Sequence, residues 1–229
     1  LGKRMVKVAS VAQYRSVAAV IEACRYETGL TQTQLAQRMG ATQKFVSLIE
    51  TGARRVDVLE LFAIERALGL KPLALVERIY EADKAVEAIT RDWKSEPFAL
   101  IDDGTIHARE LVETVRLRLE EVGMKAAFVD TFRPAQEQQL TLVRRLAKTG
   151  VTRVFVGGDR TDVAVIARDA KAEKTPLALL GGEALVGADS TVPMTDGVEA
   201  IALPDFQLQP AGKEIAAAML ARDIVAEGY

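Results

Sequence analysis

TQTQLAQRMGATQKFVSLIETG, residues 31–52, predicts two short helices separated by a tight turn. Thr31 is placed to N-cap the first helix, and Gln34 three residues later completes a capping box. Leu35, Ala36 and Met39 form the inward stripe of that helix. Gly40 ends it, because glycine adopts the left-handed conformation that closes a helix without steric cost. Thr42 caps the second helix. Val46 and Ile49 are its apolar side, and Gln43, Lys44 and Ser47 its outer side. Gly52 stops it, and Arg54 and Arg55 follow. A short helix, a glycine turn and a second helix with amides and a lysine on its N-terminal outer face describe a helix-turn-helix.

Working outward, residues 14–80 resemble the repressor-type helix-turn-helix domains of the Cro and xenobiotic-response-element family. The resemblance rests on ETGLTQTQLAQRMG, TQKFVSLIETG and RRVDVLELFAIERALGL. It implies that Gln32 lies against a DNA phosphate, that Gln43 and Lys44 reach base edges, and that Arg25 pairs with Glu50. The chain departs from the family pattern at Leu48, where a polar or basic residue is common. Read singly, Gln43 and Lys44 are also ordinary solvated helix residues, and Arg54 and Arg55 ordinary surface charge. Their joint placement on one motif is what argues for DNA. Glutamine both donates to and accepts from adenine in the major groove, and lysine donates to guanine. Arginines attract phosphate without regard to sequence. The expected DNA-contacting set is Gln32, Thr42, Gln43, Lys44, Ser47, Arg54 and Arg55.

The charge distribution agrees with this reading. Residues 1–80 carry 12 Lys+Arg against 7 Asp+Glu, and residues 81–229 carry 18 against 25. A cationic head on an anionic body suits a protein that approaches DNA with one end. The single Cys24 excludes an intrachain disulfide and fits a reducing cytoplasm. No apolar run is long enough to span a membrane, and no secretory segment is visible. The chain begins with Leu1 rather than Met, which leaves an upstream segment open.

Helical spacing of Val17, Val20, Ile21 and Cys24 predicts a first helix over about 13–28. Residues 1–12 read as an arm or as the start of that helix. Asp57 opens a fourth helix to about Leu68, with Leu59 and Phe62 expected inward. Pro72 opens a fifth, through about Ile79. Residues 80–96 read as a charged connector in which Trp93 is a packing anchor between domains. From Pro97 the period changes. FALID, KAAFVDTF, TRVFVGG, PLALLGG and VEAIALP are strand-like runs. Helical stripes lie between them: Ala108, Leu111, Val112, Val115, Leu119 and Val122; then Leu140, Val143, Leu146 and Ala147; then Val163, Ile166, Ala167 and Ala170. Strand–helix alternation with nearly continuous apolar strands predicts a parallel sheet covered on both faces. Residues 183–196 read as a loop and 211–227 as a last amphipathic helix.

Residues 98–203 resemble one lobe of a type I periplasmic binding protein, in particular the branched-chain amino-acid receptors. The resemblance rests on ALIDDGTIHARELVETVRLRLEEVGMKAAFVDTF, on TRVFVGGDRTDVAVIARDAKAEKTPLALLGGEAL, and on their order. Such receptors hold ligand between two lobes, and only the second lobe is visible here. The resemblance implies ligand contacts from His107, Asp159 and Glu183, all at carboxyl ends of strands, where open parallel sheets bind ligands. Equally simple roles are open to each: His107 or Asp159 as helix caps, Glu183 as a solvated acid. Asp102 and Asp103 suggest a phosphorylation receiver, but no lysine ends the fifth strand and the third and fourth end in Gly-Gly, so that reading fails.

Catalytic signals are missing. There is no metal-ligand cluster, no nucleophile triad and no glycine spacing for a phosphate loop, so neither cofactor nor catalytic residue is expected. The expected fold class is α/β. An all-α helix-turn-helix domain (1–80) is followed by a helical connector (81–97). A flavodoxin-like, doubly wound, five-stranded parallel sheet domain (98–229) completes the chain. The expected function is a cytoplasmic, sequence-specific DNA-binding transcriptional regulator. It binds double-stranded DNA as a homodimer, and its body dimerises or senses an amino-acid-like effector. The alternative is a non-catalytic small-molecule binding module with a vestigial or protein-binding helical head.

Overall fold

The computed structural model describes residues 11–94, 96–186 and 191–202. The arm over 1–10 and the helix predicted over 211–227 lie outside the described residues.

The first half is helical: α1 (Val11–Glu27), α2 (Gln32–Met39), α3 (Gln43–Glu50), α4 (Val58–Leu68) and α5 (Ala74–Asp92). Its punctuation follows the sequence. The Thr31 hydroxyl accepts from the Gln34 amide at 3.2 Å, and the Gln34 side chain accepts from the Thr31 amide at 2.8 Å. Gly40 closes α2 at φ 66°, where a side chain would be strained. Asp57 and Glu60 form a second capping box on α4. Val20, Ile21, Cys24, Leu35, Val46, Ile49, Ile64 and Leu75 make one core from all five helices.

The sequence placed two residues on the wrong side of α4. Leu59 and Phe62 are 73% and 39% exposed, not inward. The cap at Asp57 fixes the phase of the helix, and Ile64, Glu65, Ala67 and Leu68 then fall on its inner face. Val122 and Ala147, assigned to inward stripes, are also exposed. Val122 caps the end of its helix, and Leu142 rather than Ala147 completes the stripe of the other.

The second half adds β1 (Phe98–Asp102), α6 (Ile106–Glu121), β2 (Phe128–Thr131), α7 (Leu140–Thr149), β3 (Arg153–Gly157), α8 (Arg160–Ala172), β4 (Ala178–Gly181) and β5 (Val198–Ala200). The five strands are all parallel in the order β2-β1-β3-β4-β5. This is the doubly wound order of flavodoxin-like sheets. Of residues 183–196, read as loop, the described ones include a 3-10 turn at Glu183–Leu185.

One helix runs through the boundary expected between domains. The fifth helix does not stop near Ile79 but continues to Asp92, so most of the connector belongs to α5. Ala82, Ala85, Val86 and Ile89 recur at helical spacing and bury against Leu100, Phe155 and Leu180 of the sheet and Leu111 of α6. Trp93 closes this face, 5.9 Å from the Phe98 ring centroid, and so anchors α5 within the body rather than between domains. Leu75, one turn into α5, belongs to the helical core. With α1 packed along α6 as well, the two halves share a helix and a helix–helix seam.

Candidate nucleic-acid interface

The outer face of α3 is built from beneath. Arg25 on α1 and Glu50 at the end of α3 form a buried bidentate pair, Nε to Oε1 at 2.6 Å and Nη2 to Oε2 at 2.8 Å. The Arg25 Nη1 also donates to the Leu30 carbonyl at 2.8 Å, locking the turn before α2. The hydrogen bond to Glu50 holds the Arg25 guanidinium above its ordinary value, against the cost of burial. Glu50 Oε2 accepts from Gln32 Nε2 at 2.9 Å, and Gln32 Oε1 accepts from Gln43 Nε2 at 2.6 Å. A continuous chain of bonds therefore runs from the buried pair to the exposed start of α3.

That chain sets what Gln43 has left to offer. An amide carries two N–H donors and a carbonyl acceptor. One donor goes to Gln32. One donor and the acceptor remain, which is the complement of the adenine edge in the major groove. Lys44 beside it is exposed, and Ser47 one turn on is partly exposed. The Thr42 hydroxyl is occupied as the cap of α3, accepting from the Phe45 amide at 3.2 Å. Leu48 is 37% exposed, an apolar spot on this face.

The two arginines after α3 differ. Arg54 is paired with Glu60 and lies over the Phe45 ring, 4.6 Å from its centroid. Arg55 is exposed and lies over the Tyr14 ring at 4.4 Å. Stacking on a ring orients a guanidinium and leaves its edge donors outward. Phe45, Tyr14 and Glu60 are supports that sequence reasoning missed. Glu60 was hidden because its pairing with Arg54 depends on how the turn between α3 and α4 folds back.

In the body, two of the three expected ligand residues come together and one does not. His107 and Glu183 both meet Glu81 of α5. Glu81 Oε1 accepts from the Glu183 amide at 2.8 Å, and Glu81 Oε2 lies 3.9 Å from His107 Nε2. A Cβ on Gly182 would fall 1.7 Å from Glu81 Oε1, so this approach requires glycine. Burial raises the Glu81 carboxyl and lowers the His107 imidazole from their ordinary values. Asp159 is instead the N-cap of α8, its Oδ1 accepting from the Asp162 amide at 2.9 Å. Asp102 and Asp103 accept from the Gly104 and Thr105 amides of their own loop, each at 2.9 Å.

A helix-turn-helix braced from below, joined to a doubly wound parallel sheet, defines a class: a repressor-type head on an α/β body. The helix-turn-helix family model matches residues 21–75. An uncharacterized HTH-type transcriptional regulator, y4dJ, from Sinorhizobium fredii (strain NBRC 101917 / NGR234) is 38% identical over 52 residues, which are 23% of this chain and 68% of that one. The chain belongs to this helix-turn-helix family, in its Cro and xenobiotic-response-element type. Among solved structures, a protein from Rhodospirillum rubrum described as a branched-chain amino acid ABC transporter shares the fold. Its TM-score is 0.55 at 14% identity, over 92% of this chain and 74% of that one. A periplasmic binding protein type 1 from Bordetella pertussis Tohama I matches with TM-score 0.42 and 18% identity over 47% of this chain. This chain spans 28% of that protein's length. Among the described residues, no helix is long and apolar enough to cross a membrane.

Proposed function

We propose that the chain is a cytoplasmic, non-catalytic transcriptional regulator that reads double-stranded DNA as a homodimer through α3, with the α/β body as dimerisation or effector-sensing part. The observation that carries this reading is Gln43. Its amide is held by Gln32, which is held in turn by the buried Arg25–Glu50 pair, so the reading group is fixed before DNA arrives. Fixing it in advance lowers the ordering cost of binding. Lys44 adds a donor for guanine, and Arg55 a stacked cation for phosphate.

Two one-turn-spaced half-sites give a two-fold protein enough sequence to choose an operator, which supports the homodimer. For the body, Glu81 already occupies the space between His107 and Glu183. That favours a scaffold over an open amino-acid receptor, and an amino-acid-like effector would have to displace Glu81. Selection from random duplexes followed by titration tests the reading. Gln43→Ala is expected to cost about 1–3 kcal/mol at the selected sequence and to leave non-specific affinity nearly unchanged. Arg55→Ala is expected to weaken all sequences and to flatten the salt dependence. Undiminished binding of the selected sequence by Gln43→Ala would show that α3 is not the reading helix.

A further inference from the structure

The seam between the two halves carries charge that neither the DNA-reading face nor the sheet uses. Glu27 comes from α1, Arg78 and Glu81 from α5, and His107 and Glu110 from α6. Arg78 is committed to Glu27, Nη1 to Oε1 at 3.0 Å and Nη2 to Oε2 at 2.7 Å. The Glu81 side chain is 8% exposed and is tied to the Glu183 amide. Glu110 Oε1 accepts from the Thr114 hydroxyl at 3.0 Å. His107 Nδ1 is buried without a hydrogen-bond partner. These five groups are three carboxyls, one guanidinium and one imidazole. A cavity of about 370 Å³ opens beside Glu110, between Arg15, Ser16 and Ala19 of α1 and Glu113 and Leu117 of α6. Packing between α1 and α6 is incomplete where Glu110 sits.

We propose that this seam is a proton-operated latch between the two halves of the chain. With Glu110 protonated, α1 seats on α6; ionised, it repels Glu81 and Glu27 and loosens the contact.

Burial pushes the Glu110 carboxyl up to about 7, with Glu81 and Glu27 adding to the rise and the Thr114 hydroxyl and Arg78 opposing it. The charged and titratable groups around it and its cavity are Arg15, Cys24 and Glu27 on α1, Arg78 and Glu81 on α5, and His107, Glu113, Glu120 and Glu121 on α6 itself. An acid whose pKa is higher in the closed state holds its proton more tightly there. Its contribution to closure is complete below the ordinary value of 4.5 and is lost as pH rises through about 7. His107 has the opposite sign. Burial and Arg78 lower it, with Glu27 and Asp103 opposing, so its contribution is full above 6.5 and fades on acidification. Loosening as pH rises through neutrality therefore cannot come from His107.

Amide hydrogen exchange on the intact chain, without DNA, tests the latch. Glutamine at position 110 keeps an acceptor for Thr114 and does not ionise. Relative to Glu110→Gln, wild-type opening of α1 and α6 is expected to rise about tenfold between about pH 6 and about pH 8. The same pH profile in both proteins overturns the latch. Carbon NMR of the wild-type glutamate carboxyls keeps the test valid should the variant not fold. One carboxyl titrating together with the exchange is expected, and none titrating between about pH 6 and about pH 8 overturns the proposal. Since DNA is absent from both measurements, their failure leaves the DNA-binding reading standing, and the reverse holds.

Discussion

Arg25 and Glu50 are the residues on which the reading face depends. They sit 4% and 8% exposed, far from any solvent that would compensate a lone charge. Removing one partner of a buried pair leaves the other charged and desolvated, at a cost of about 3–5 kcal/mol. Arg25→Ala or Glu50→Ala is therefore expected to lower chemical-denaturation stability by that order. Arg25→Met with Glu50→Leu is expected to recover most of it, because no charge is left behind. The double variant should still bind DNA less tightly, since Gln32 loses the Glu50 oxygen that aligns it with Gln43. A double variant as unstable as the singles would mean that packing, not charge, sets the cost. The sequence gives Arg25 and Glu50 no more than a family correspondence. That both are buried follows from α1 crossing beneath α3, a contact between segments 25 residues apart.

At the scale of elements, α5 carries the most consequence. Its N-terminus has no side-chain cap of its own: Leu73 stands there at φ 71°. The buried Glu65 of α4 supplies the acceptors instead, Oε2 to the Leu73 amide at 3.2 Å and Oε1 to the Leu75 amide at 3.1 Å. A carboxylate at a helix N-terminus also meets the positive end of the helix dipole. Further along, Ile89, Val86 and Trp93 seal one face of the sheet. Each large apolar side chain so buried contributes about 1.5–3 kcal/mol. Losing three of them rivals the roughly 5–15 kcal/mol that keeps a domain folded. A fragment beginning at Pro97 is therefore expected to bind a hydrophobic dye and unfold without cooperativity. One beginning at Ala74 is expected to melt in a single transition. Equal behaviour of the two fragments would show that α5 is dispensable to the body. The sequence read α5 as two pieces because its apolar residues change partners halfway along, from the helical core to the sheet, while the surface between them stays charged.

Across the whole molecule, head and body share α5 and the α1–α6 seam, so the dimer proposed above must bring two copies of α3 to one face of DNA through that shared packing. In the proposed dimer the cationic head has to keep α3 free, which argues for a contact between the acidic bodies. Sedimentation at tens of micromolar is expected to show a dimer whose dissociation is promoted by charge reversal on the body and not by Lys44→Ala. A monomer at that concentration, with and without DNA, would remove the two-half-site model. The sequence by itself determined the caps of α2, α3 and α4, the polar outer side of α3, and five parallel strands with helices between them. These depend on residues within a turn or two of one another, where hydrogen-bond chemistry and hydrophobic period are local. Only the tertiary structure decided that Gln43 is held by Gln32, that Leu59 and Phe62 face outward, that Glu81 fills the space between His107 and Glu183, and that Asp159 serves as a cap. Each of these is a meeting or a phase set by how helices stack, and long-range packing leaves no local pattern in a single chain.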